Sequence, residues 1–99
     1  MTESEKQILL ICQEECAEVT QAISKVFRFG FDSVWPVDDY MPDNRGKLQN
    51  EVGDLLAMIE LMMERGIINE AETYQACNRK KAKLRTWSDI YKNESDLVN

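Results

Sequence analysis

Two stretches of helical period, residues 3–29 and 47–65, each set a pair of acids three residues apart into what is otherwise an apolar stripe. At about 100° per residue, Ile8, Val19, Ala22 and Val26 fall within roughly 40° of Glu15, and Cys12 within roughly 60°. Glu18 lies about 60° to one side. The second stretch repeats the arrangement: Leu55, Met58 and Met62 lie within roughly 40° of Glu51, and Leu48 within roughly 60°. Asp54 is offset to the same side as Glu18, by about 60°. Consecutive helices commonly pack antiparallel, so the two pairs are expected to meet.

The punctuation between these stretches supports an all-α chain. Thr2 and Glu5 have capping-box spacing, and Gly30 ends the first helix. Trp35-Pro36, Asp38-Asp39, Pro42-Asp43-Asn44 and Gly46 are turn signals, which predicts a loop over about 30–46. A loop that long in a small domain is a candidate for function. The second helix is expected from about Lys47 to Arg65, with Gly66 as its C′ residue. Asn69 and Glu72 repeat the cap spacing and open a third helix, ending near Thr86 or Tyr91. A frayed tail is expected over about 93–99. The reading is one domain, 1–99, folded as an antiparallel helix bundle of three main helices. A chain of 99 residues buries only about 60–65% of its unfolded surface, so its core is expected to be completed by oligomerisation, as a homodimer or homotetramer.

Composition removes several function classes. There is no histidine, hence no catalytic imidazole and no His-ligated zinc. A net charge of −6 argues against nucleic acid or an anionic membrane as the main partner. The longest apolar run, Ile8 to Cys12, is far short of the ~20 residues that span a bilayer. The acidic start, Met1-Thr2-Glu3-Ser4-Glu5, is unlike a signal peptide, so a cytoplasmic location is expected. Cys12, Cys16 and Cys77 suit reduced thiols, with Cys12 and Cys16 read as small buried apolar residues.

Four carboxylates in a partly buried site need compensating positive charge, because desolvation and mutual repulsion oppose their ionisation. All-oxygen ligation selects Mg²⁺, with Mn²⁺ as a substitute, and such ions engage substrate phosphates. Arg79, Lys80, Lys81, Lys83 and Arg85 place five of the 12 basic residues within seven positions of the third helix. In an otherwise acidic chain, that cluster fits a polyphosphate held between metal and cations.

Glu14-Glu15-Cys16-Ala17-Glu18 followed by Glu51-Val52-Gly53-Asp54 resembles the EExxE…ExxD signature of the MazG-like nucleoside triphosphate pyrophosphohydrolases. Glu51-Val52-Gly53-Asp54-Leu55-Leu56 looks like that family's second motif helix, and Asn78-Arg79-Lys80 like its downstream Asn-x-Lys motif. The resemblance covers about residues 8–85. It implies an all-α fold working as dimers or dimers of dimers, and Mg²⁺-dependent hydrolysis of the α–β bond of a (deoxy)nucleoside triphosphate to monophosphate and pyrophosphate. It further implies Glu15, Glu18, Glu51 and Asp54 as metal ligands, with Glu14 in support. Asn78 and Lys80 would contact sugar or phosphates, and Lys25 is a weaker phosphate candidate. The 32 residues between Glu18 and Glu51 exceed the spacing of compact members, which bears on substrate preference. The length matches small phage-encoded members that trim the nucleotide pool, which would put the protein in the host cytoplasm.

Within that implied mechanism, Glu15 or Glu18 orients or deprotonates the attacking water, and Lys80, with Arg79 or Arg85, holds the outgoing phosphates. Trp35 is the candidate base-stacking or subunit-contact residue, Phe27 and Phe29 are read as closing the helix end, and Trp87 as a packing anchor. Two other classes remain open: a non-catalytic helical oligomerisation module, and a nucleotide-binding regulator that keeps the site without turnover.

Overall fold

The computed structural model describes residues 1–34 and 42–92, and among these it is all-α, with three helices and no strand. The chain divides into two compact units, Met1–Ile67 and Ile68–Asn99.

The first unit is a pair of packed helices, α1 (Glu3–Phe29) and α2 (Asn44–Glu64). α1 begins with the expected capping box: the Thr2 hydroxyl accepts from the Glu5 amide at 3.0 Å, and the Glu5 carboxylate accepts from the Thr2 amide at 3.1 Å. It stops at Gly30, whose φ of 87° lies in the region that favours glycine. α2 starts three residues earlier than the sequence suggests. Asp43, which reads as part of a turn, is its N-cap and accepts from the Gly46 amide at 2.8 Å. Gly46 is needed for a close approach, since a Cβ there would sit 2.9 Å from the Pro42 Cβ. α2 ends in a Schellman arrangement: Gly66 (φ 71°) donates to Met63 O at 3.1 Å and Ile67 to Met62 O at 2.9 Å.

Asn44 fastens the two helices. It is 3% exposed, and its Nδ2 donates to Gly30 O at 3.0 Å while its backbone amide donates to Ser33 O at 2.9 Å. The Arg45 amide donates to Phe31 O at 2.9 Å, so the first turn of α2 sits against the end of α1. From there the helices run antiparallel, with Lys25 and Ala22 beside Lys47, and Glu15 beside Asp54.

The seam between them contains the stripes read from the sequence. Ile8 and Ala22 are buried, and Cys12, Val19, Val26, Leu48, Leu55, Met58 and Met62 are half-buried. No side chain among the described residues is fully buried. Large apolar groups stand outside the seam instead: Leu9, Ile23, Phe31, Val52 and Leu56 are exposed, and Phe27 is 86% exposed. Phe27 and Phe29, the latter 50% exposed, therefore do not pack into a closed helix end among the described residues. Cys16 is likewise exposed rather than buried, one turn round from Cys12, and all three cysteines are free thiols.

The second unit contains α3 (Glu70–Trp87). Asn69 caps it, accepting from the Glu72 amide at 2.9 Å, as the spacing predicts. Trp87, read from the sequence as a packing anchor, is 82% exposed, because it is the last helical residue before the Ser88 cap. The expected tail over 93–99 lies outside the described residues. Among the described residues, no helix is long and apolar enough to cross a membrane.

Candidate metal centre

The antiparallel register brings Glu15 of α1 against Glu51 and Asp54 of α2. One carboxylate oxygen from each lies within 4.8 Å of the other two. Glu15 and Glu51 are half-buried and Asp54 is exposed, so the triad lies at the rim of the seam. Asp54 follows Glu51 by three residues, which puts both on one side of α2 and lets them flank a single partner on α1.

The electrostatics follow from this crowding. Partial burial, and then the charges of Asp54, Glu51, Glu18 and Glu14, hold the Glu15 carboxyl above its ordinary value. The triad is thus a concentration of negative charge with a cost that a divalent cation would relieve. Its donors are carboxylate oxygens only, which suits a hard cation. Cys12 lies on the same stripe as Glu15, and burial, followed by Cys16 and the Glu15 charge, pushes its thiol up. A thiol held protonated is a poor metal ligand.

Glu18 stands outside the triad. It is exposed, and it lines a polar cleft of about 80 Å³ with Gln21, Ala22, Lys25, Lys47 and Glu51. Glu51 therefore serves both features. Relative to the buried Ala22, Glu18, Gln21 and Lys25 turn one way round α1, and Ile23, Val26 and Phe27 turn the other. The second group forms an apolar hollow of about 440 Å³ with Gly30, Phe31 and Leu48. The helix pair thus has a charged flank and an apolar flank. The two arginines near the hollow stack on rings, Arg28 over Phe29 at 4.9 Å and Arg45 over Phe31 at 4.3 Å.

The remaining candidates have simpler settings. Glu14 is exposed on α1 and acts on Glu15 through its charge. Asn78, Arg79, Lys80 and Arg85 are exposed on α3, and the Arg85 guanidinium lies 4.5 Å from the Tyr91 ring centre. Trp35 lies outside the described residues. Lys47 and Gln21 are cleft residues that the sequence reading passed over. Lys47 precedes Glu51 by four residues, one helical turn, and that spacing was the available signal.

Comparisons with protein-family models, with curated proteins and with solved structures find no match to this chain in any of the three.

Proposed function

We propose that the chain is a divalent-metal-dependent hydrolase that cleaves nucleoside or deoxynucleoside triphosphates between the α and β phosphates. The observation that carries this reading is the meeting of Glu15, Glu51 and Asp54 within 4.8 Å across the α1/α2 seam. These are three of the four acids in the motifs that resemble the MazG-like signature. The oxygen-only donor set fits Mg²⁺ or Mn²⁺, and partial burial together with the neighbouring acids holds the Glu15 carboxyl above its ordinary value, a cost that a bound cation would offset.

In this reading Glu15, Glu51 and Asp54 hold the ion. When bound, the ion lowers the pKa of a ligated water and screens charge on phosphoryl oxygens. Glu18, beside the triad but not in it, orients the attacking water and takes its proton. Water oxygen ends on one phosphorus and the bridging oxygen leaves with the other, giving monophosphate and pyrophosphate. Glu14 adds to the field at Glu15. Asn78, Arg79, Lys80 and Arg85 are the proposed further contacts to sugar and phosphates, and Trp35 the stacking contact to the base. The enzyme is proposed to act in the cytoplasm, and in the host cytoplasm if a phage encodes it.

The exposed apolar flank favours self-association, as homodimer or homotetramer, and it also favours a second reading: a helical oligomerisation module whose acids only decorate the seam. One assay separates the two. Pyrophosphate release from a panel of nucleoside triphosphates is expected with millimolar Mg²⁺ and lost with EDTA; no release from any of them would reject the hydrolase.

A further inference from the structure

The negative charge of this chain is unevenly divided. The first unit has 13 acidic residues against six basic ones, whereas the second has five acidic against six basic. Within the second unit, residues 73–88 hold five cations and no acid. Net charge therefore opposes nucleic acid at the first unit and not at α3.

The two sides of α3 differ in what accompanies their cations. At about 100° per residue, Arg79, Lys83, Trp87 and Lys80 fall within one arc of roughly 100°, with Ala76 among them. All four are exposed, Trp87 by 82%. Among the described residues, none of these three cations forms an ion pair or lies over a ring. Lys81 and Arg85 turn to the other side, where the Arg85 guanidinium stacks on Tyr91 at 4.5 Å. The stripe from Arg79 to Trp87 is about 12 Å long, eight residues at 1.5 Å each.

We propose that this stripe binds single-stranded nucleic acid, with phosphates on the cations and a base on Trp87. Cations alone suit any anion. An exposed indole in line with them selects a partner that carries flat aromatic groups between its negative ones. An acidic peptide meets the cations and leaves the indole bare. A duplex keeps its bases stacked on one another. An anionic membrane calls for an apolar helix face, and on this side α3 offers only Ala76 and Trp87. A single strand presents phosphates and unstacked bases together, and Arg79 and Lys83, one turn apart, set two cations along its path. The stripe overlaps the proposed triphosphate contacts at Arg79 and Lys80. Lys83 and Trp87 have no part in that reading, and polynucleotide binding goes beyond it and needs no metal.

The test is the fluorescence anisotropy of a labelled oligothymidylate of about 20 nucleotides, titrated with the full chain in EDTA at low salt. EDTA removes the metal on which the hydrolase reading depends, so the two readings fail separately. Binding is expected to weaken with salt, with a slope set by the number of cations engaged. Trp87→Ala should cost about tenfold in affinity without changing that slope. Lys83→Gln should reduce the slope by about 0.7. Lys81→Gln removes the same charge from the other side of α3 and should leave slope and affinity as in wild type. All three side chains are exposed, so each variant keeps its helix. Equal losses in Lys81→Gln and Lys83→Gln, with no effect of Trp87→Ala, would overturn the stripe. Absence of single-strand binding would overturn the proposed partner. So would tighter binding to the same strand paired with its complement, to polyglutamate or to phosphatidylserine vesicles.

Discussion

Glu15 and Asp54 face each other across the α1/α2 seam with a carboxylate oxygen of each within 4.8 Å, and the charge of Asp54 is the largest of the four that raise the Glu15 carboxyl. Two acids this close in a folded chain are tolerated only because the surrounding stripes hold them there. The arrangement makes definite demands on solution behaviour.

Metal should stabilise the protein. An ion that binds the native triad and not the unfolded chain adds about 2.7 kcal/mol at a hundredfold excess over its Kd. The melting temperature is expected to rise with millimolar Mg²⁺ or Mn²⁺ and to fall back with EDTA. A melting temperature indifferent to both ions would remove the metal centre.

Glu51→Gln separates ligand from structural roles. It keeps the side chain's size and removes one negative charge from a site shared by the triad and the cleft. Turnover should fall by orders of magnitude, because both water activation and charge neutralisation are lost. Stability in metal-free buffer should hold or improve, since a repulsive charge has gone. A structural ion pair would give the reverse pattern. Glu64→Gln, exposed at the end of α2, should alter neither quantity. Pyrophosphate release and the urea midpoint without metal are the two measurements.

The start of α1 should be acid-sensitive. Hydrogen bonds from the Thr2 backbone and side chain hold the Glu5 carboxyl below its ordinary value of 4.5. A depressed folded pKa gives stability that is fully present above the unfolded value and is lost as pH falls through the folded one. Protection of the first-turn amides, taken relative to the unstructured exchange rate at each pH, should therefore fall as pH drops below about 4.5. Glu5→Gln should abolish that pH dependence, and persistence of it in the variant would refute the assignment.

Phe27 tests the apolar flank. At 86% exposure it contributes little to the fold of a single chain, so Phe27→Glu should leave helicity unchanged. Sedimentation at micromolar concentration is expected to show a dimer or tetramer for wild type and a shift toward monomer for the variant. A well-folded wild-type monomer of 11.5 kDa across that range would contradict the proposed oligomer.

The helices were legible because their ends are written locally: Thr2 with Glu5, Gly30, Gly66 and Asn69 each sit where the cap chemistry needs them. The α2 start was misplaced because Asp43 and Asn44 serve equally well in turns and at N-caps, and only the contact with Gly30 O distinguishes the two uses. The acid pairs were legible as angles on a wheel. What a wheel omits is position along the axis. Glu18 and Asp54 share an angular offset, yet Glu18 lies about 4.5 Å further along α1, three residues at 1.5 Å each. That displacement puts it beside Lys47 instead of in the triad. The outward aromatic residues were misread for a different reason: periodicity identifies an apolar side chain but not whether its cover comes from the same chain.

The Asn44–Gly30 hydrogen bond has a bearing on how this chain can vary. It closes the connection between α1 and α2 at its base, so the alignment of Glu15 with Asp54 is fixed by residues adjoining the helices and not by the length of chain between them. The entropy of closing a loop grows by only about 0.6 kcal/mol per doubling of its length. Breaking the closure is dearer: Asn44→Ala leaves Gly30 O without its donor and should cost about 1–3 kcal/mol. The intervening segment is thereby a natural place for grafting, where a tag or a reporter inserted between the helices should leave the carboxylates in register, provided Asn44 is kept.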